Sequence, residues 1–206
     1  MTIDKLSGKN SFLSNSFIRK FRYRGREFWS AAHAFLFERV DDRDLRKKIL
    51  ETRSLSAIRE IALVLPGGAV RDFSSTGIDI DVLYHKFGLD PLMTKRLLAT
   101  GCEDIVYPSP LDNSLGLKLM TVRRDLARDE YVIQNKQSYH SVYCWWALES
   151  KGYTFNIDRA QVFTREEAMA QHARRETDVP WPLWLVRLNL ISAVYHLPAN
   201  PIFYGG

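Results

Sequence analysis

Apolar residues in the first 128 positions recur mostly at helical spacing, and the expected elements follow from where that spacing starts and stops. Ser30 offers an N-cap for a helix reaching about Val40, with Ala34, Phe35 and Phe37 among its apolar residues. Asp41-Asp42 breaks the pattern, a second helix begins near Arg43, and a third covers residues 56–65. Pro66-Gly67-Gly68 reads as a loop. Val82, Leu83 and Phe87 give residues 78–87 a helical spacing. Asp90-Pro91 pairs an N-cap with proline at the first helical position, so a helix runs through Leu97-Leu98 and stops at Gly101. Past the proline-containing stretch 107–110, Asp112-Asn113-Ser114 cap a last helix in which Leu115, Leu119, Val122 and Leu126 recur.

Two stretches depart from that texture. Residues 12–28 read as extended, with Lys20, Arg22, Arg24 and Arg26 alternating with Phe21, Tyr23 and Gly25. Period two in a strand puts the four cations on one face and the aromatics on the other. Beyond Asp129-Glu130, β-prone runs at 131–133, 142–146 and 153–157 precede a short helix over 166–174. The expected fold class is therefore α+β: a mostly helical domain over residues 1–128 and a small, Trp-rich, β-rich C-terminal module over 129–206. Trp145, Trp146, Trp181 and Trp184 fall in that module and are expected to form a small core; exposed, they would suit a protein-interaction surface.

Composition narrows the classes. A content of 46% hydrophobic and 12% aromatic residues in 206 supports a proper core and excludes disorder. No apolar run approaches the ~20 residues that span a bilayer, and the start Met1-Thr2-Ile3-Asp4-Lys5 lacks an apolar signal core, so a cytoplasmic protein without a membrane partner is expected. A net charge of +5 favours an anionic partner such as a nucleotide or nucleic acid. Cys102 and Cys144 fit neither a disulfide framework nor a metal-ligand spacing and read as buried thiols; no metal and no cofactor are expected.

Phe12-Leu13-Ser14-Asn15, Phe17, Gly25 and Ser30-Ala31-Ala32-His33-Ala34-Phe35 resemble the NADAR/YbiA-like pattern of an FLSNF-like start, a glycine turn and an S-x-E-H-A-Y-Q helix. Lys86-Phe87, Leu97-Leu98-Ala99-Thr100-Gly101, Pro110-x-Asp112 and Asn113-x-Leu115-Gly116-x-x-Leu119-Met120-x-x-Arg123 continue the resemblance in order, over about residues 8–128. It implies a mostly helical α+β domain whose relatives hydrolyse an N-glycosidic bond between a ribose phosphate or ADP-ribose and a base. In the C-terminal module, residues 152–168 resemble a small β-rich module of phage-encoded proteins.

Cleaving such a bond builds oxocarbenium character, and carboxylates are the usual tools for stabilising it and moving the proton. The resemblance puts a catalytic glutamate where this chain has Ala32 and a nucleophilic lysine where it has Arg39. Alanine cannot move a proton, and arginine stays protonated. Leu36 and Tyr107 stand where the pattern has glutamine and glutamate, and its tryptophan-glycine segment is missing before Asn113. Binding of ADP-ribose, ribose phosphate or a related nucleotide, with lost or altered hydrolysis, is the expected function. An active N-glycosidase and a protein- or nucleic-acid-binding module are the alternatives.

The residues that match the pattern and are expected to bind ligand are Asn15, Ser30, His33, Asp112 and Arg123, with Arg39 keeping a charge where a sugar phosphate would sit. His33 is a candidate acid or base, or a buried helix histidine satisfied by a neighbour. Asp112 is a candidate site carboxylate or a helix cap. Lys20, Arg22, Arg24 and Arg26 form the candidate nucleic-acid face, or a solvated one.

Overall fold

The computed structural model describes residues 2–64, 80–107, 113–137 and 143–191. Helix α1 (Ala31–Phe37) starts where the serine predicts: Ser30 is extended and its side chain accepts the His33 amide. All seven of its residues are buried, so α1 is a central helix and not an amphipathic surface one. Around it, α2 (Arg43–Glu51) is capped by Asp42, and α3 (Leu55–Val64) turns Ile58, Ile61 and Ala62 inward. Helix α4 (Ile80–Gly88) buries Val82, Leu83, Tyr84, Phe87 and, at the same helical spacing, Lys86. Helix α5 (Pro91–Leu98) has Asp90 as its cap, whose Oδ1 accepts the Leu92 and Met93 amides at 3.0 and 3.2 Å.

Residues 12–28 are not one extended segment. Gly8–Leu13 is 3-10, and β1 (Thr2–Ile3) pairs in parallel with a later strand, Asp104–Ile105. Strands β2 (Phe21–Tyr23) and β3 (Arg26–Phe28) form an antiparallel hairpin, with Phe21 opposite Phe28, Arg22 opposite Glu27 and Tyr23 opposite Arg26. Arg24 and Gly25 both take positive φ, 47° and 75°, as a two-residue turn matching the strand twist requires. Cross-strand partners share a face, so the reversal puts Arg26 on the side of Tyr23 and Arg22 on the other. The expected single face of four cations does not form.

The strand Asp104–Ile105 is β4, and α6 (Ser114–Ala127) follows it. Asn113 was expected to cap α6 with its side chain; instead Oδ1 accepts the Tyr107 amide at 2.7 Å and Nδ2 donates to the Ile105 carbonyl at 2.8 Å. Gly116 faces that same junction, where a Cβ would lie 2.0 Å from the Ile105 oxygen. Asp112, another of the three expected caps, lies outside the described residues.

The chain divides between Arg124 and Asp125 into two compact units. The second is built on β5 (Glu130–Asn135), which pairs antiparallel with β6 (Trp145–Trp146), β8 (Phe163–Thr164) and β9 (Asp178–Pro182), while β7 (Tyr153–Thr154) pairs with β6. One core joins Val132, Trp145, Val179 and Trp181 to Leu185 and Val186 of α8 (Leu183–Ile191). The other joins Tyr131 and Ile133 to Ala168 of α7 (Arg165–Arg174), with Trp146 and Phe163 packed against it. Residues 131–135 are all buried, because each side of that stretch has its own cover. Trp145 and Trp181 are core residues, and Trp146 and Trp184 are half-buried against the cores. Of the two cysteines, Cys144 is buried, with burial pushing its thiol pKa up, whereas Cys102 is exposed, contrary to expectation. No helix among the described residues is long and apolar enough to cross a membrane.

Candidate functional site: a cationic cleft lined by Trp29

The residues flanking α1 set what chemistry is available there. The Asn15 carbonyl accepts the Ala32 amide at 2.9 Å, which ties the 14–15 loop to the first turn of α1. One residue earlier, the Ser14 carbonyl accepts from Lys86 Nζ at 2.7 Å, so the same loop is tied to α4. Asn15, Ser30, His33 and Lys86 are all essentially unexposed, and among the described residues they are the buried polar side chains of the first unit. None of them is a carboxylate.

Ser30 Oγ and His33 Nδ1 lie 2.7 Å apart, and Oγ also accepts the His33 amide at 3.4 Å. Nδ1 is therefore committed to the hydroxyl, which leaves Nε2 as the other ring nitrogen. That nitrogen is buried and makes no hydrogen bond of good geometry among the described residues. Burial lowers the pKa of His33 to about 4, against a weaker pull upward from the Thr52 main chain. At neutral pH the ring is uncharged and buried, so it is not the imidazolium that would protonate a leaving base. Both Ala32 and Leu36 are buried apolar positions.

The other sequence candidates are engaged elsewhere. Arg39 folds back on its own helix, donating to the Phe35 carbonyl at 3.2 Å with its guanidinium 3.6 Å from the Phe35 ring centre. Arg123 donates to Thr100 Oγ1 at 2.7 Å and so links α6 to the end of α5. Arg24 reaches Glu38 at 2.7 Å and Asp81 at 3.5 Å, and Arg26 lies 5.3 Å from the Phe37 ring centre. Arg22 is exposed opposite Glu27.

A cleft of about 390 Å³ is lined by Ile18, Arg19, Lys20, Trp29, Arg53 and Asp90. Of these, the sequence singled out Lys20 for binding. Arg19 Nε is 2.6 Å from Asp90 Oδ2, while Asp90 Oδ1 is held by the α5 amides. The carboxylate thus fixes one edge of the Arg19 guanidinium and leaves its terminal nitrogens without a hydrogen bond among the described residues. Lys20 Nζ sits 4.4 Å from the Trp29 ring centre and 3.3 Å from Glu27. Arg53 Cζ lies 5.6 Å from the same ring and has no carboxylate partner among the described residues. Three cations against one lining carboxylate leave the cleft positive, with an aromatic wall.

Lys86, which stands in the sequence only as part of the family pattern and not as a candidate site residue, is a further buried cation. Burial, and then the charge of Arg96, lower its pKa to about 7. The signal was present: at four residues from Val82 and three from Leu83 it lies on the apolar side of α4. The Arg19–Asp90 pair had no such signal, because its partners are 71 positions apart.

No protein-family model matches the sequence, and no curated protein matches it at a significant level. Among solved structures, the NMR structure of the E. coli protein YbiA is similar, with a TM-score of 0.48 and 18% identity. The alignment covers 62% of this chain and 84% of that one. A likeness this distant transfers no residue roles.

Proposed function

We propose that the first unit binds a phosphorylated ribose ligand, of the ribose phosphate, ADP-ribose or nucleotide class, with no N-glycosidase activity. The observation that carries the reading is the cleft, where Arg19 and Arg53 offer guanidiniums free of competing carboxylates on their terminal nitrogens beside Trp29. Guanidiniums grip phosphate in two-point fashion, and a pre-fixed one loses less entropy on binding. The non-hydrolytic half follows from the buried polar residues near α1: a neutral, sealed His33, alanine at 32 and no buried carboxylate among the described residues of this unit. Hydrolysis would require a proton donor for the leaving base.

Titration calorimetry of the full chain with ADP-ribose and ribose 5-phosphate tests the binding half. Micromolar heats that fall at least tenfold in Arg53→Glu are expected, on the order of the 1.4 kcal/mol that a lost charge-assisted contact carries. No heat from either ligand would sink it. Incubation with ADP-ribosylated guanine, followed by chromatography, tests the other half; released ADP-ribose would return the chain to the hydrolases.

A further inference from the structure

We propose that Asp90 is the positioning residue of the cleft: it strengthens anion binding in spite of its own charge, by tying the Arg19 guanidinium to the first turn of α5. This rests on the binding reading above and goes beyond it in naming what sets the affinity. Arg19 is anchored at both ends. Its amide donates to the Trp29 carbonyl at 2.9 Å, and its Nε lies 2.6 Å from Asp90 Oδ2, although the side chain is 45% exposed. Asp90 is held more tightly still. Its Oδ1 accepts the Leu92 and Met93 amides, and its main-chain carbonyl accepts the Thr94 amide at 2.9 Å and the Thr94 hydroxyl at 3.1 Å.

Only a carboxylate serves both sides at once, with one acceptor for the amides and another for Arg19. An asparagine has a single acceptor, so it caps the helix or accepts from Arg19, and not both. The cap alone does not call for a charge, since asparagine caps as well as aspartate. A carboxylate lining an anion site also repels the anion, so two effects compete. The repulsion is weak, because the pair is partly open to water and screened by salt. The gain is larger: arginine has among the greatest rotamer freedom of any side chain, and one already fixed at Nε loses less of it on gripping a phosphate. With Nε taken, the terminal nitrogens are the edge left for a ligand. The coupling is reciprocal, so an anion that grips Arg19 in its fixed position stabilises the first turn of α5.

The test titrates the full chain with ribose 5-phosphate in low salt, then repeats it in Asp90→Asn, Arg19→Gln and the double variant. Asp90→Asn is expected to bind roughly 3- to 30-fold more weakly than the wild type, the range that freeing part of an arginine's rotamer entropy supplies. In the Arg19→Gln background the same substitution is expected to leave affinity unchanged or to raise it, because only the repulsion remains to be removed. Hydrogen exchange gives the reciprocal reading: saturating ribose 5-phosphate slows the Leu92 and Met93 amides relative to those of α2 in the wild type, and not in Arg19→Gln. Circular dichroism and melting temperature check the fold of each variant. Unchanged or tighter binding in a folded Asp90→Asn protein overturns the inference and leaves phosphate binding standing. An equal loss in both backgrounds does the same, since it marks an effect that bypasses Arg19. Exchange at Leu92 and Met93 that the ligand leaves unchanged in the wild type overturns it whatever the variants do. No binding of ribose 5-phosphate to the wild type overturns both readings.

Discussion

Replacing Lys86 with methionine should change not only stability but the sign of its effect across pH. The ammonium is 1% exposed, donates to the Ser14 carbonyl at 2.7 Å and has its pKa lowered to about 7 from an ordinary 10.5, first by burial and then by Arg96. In the unfolded chain the amine keeps its proton until about pH 10.5, so between about 7 and 10.5 the unfolded state binds more protons and stability rises with pH. One pKa unit is 1.36 kcal/mol, so that window amounts to about 5 kcal/mol for a group with no solvent to screen it. Methionine removes the titration and the bond to Ser14 while filling similar space. Below pH 7 the variant should exceed the wild type by several kcal/mol, because it has no charge to desolvate. At pH 10.5 and above it should be the less stable by about 1 kcal/mol, the worth of one hydrogen bond. Urea unfolding at intervals from pH 6 to 11, followed by hydrogen exchange of the α4 amides, reads both limits. Parallel pH curves for the two proteins would refute the assignment of a strained, buried ammonium.

The two roles of Asp90 separate by substitution. Asp90→Asn keeps a good N-cap and loses only the partly exposed Arg19 pair, costing ~0.2–1 kcal/mol, whereas Asp90→Ala loses the cap too and costs ~1 kcal/mol more. Equal losses in urea unfolding would show that the cap contributes nothing. Gly116→Ala should destabilise by ~1–3 kcal/mol although alanine is the better helix former by ~1 kcal/mol, because the new Cβ would stand 2.0 Å from the Ile105 oxygen and 2.2 Å from Asn113 Oδ1. A raised melting temperature in that variant would contradict the packing of α6 against β4.

The helices of the first unit were legible because their signals are local. Ser30, Asp42-Arg43 and Asp90-Pro91 act on backbone groups two or three residues away, and apolar spacing marks which side of each helix turns inward. The α+β class followed, as did β5 and parts of β6 and β7, whereas β8 and β9, which also pair with β5, carried no such signal. At residues 20–26 the sequence misled: alternation is the same whether a strand continues or reverses, and here positive φ at Arg24 and Gly25 reverses it. Asn113 looked like a side-chain cap for the same local reason, and tertiary contact with Ile105 and Tyr107 took its amide instead.

What the sequence determined by itself was therefore where most of the helices of the first unit lie, where several of them start, that position 32 is an alanine, and that the chain is cationic. Only the tertiary structure decided that His33 is sealed, that Lys86 carries its amine into the interior, and that Arg19, Trp29, Arg53 and Asp90 share a cleft. Periodicity and caps act over a turn or two of backbone. A cleft forms from side chains that meet across 71 positions, and their meeting is fixed by how the helices pack rather than by any spacing along the chain.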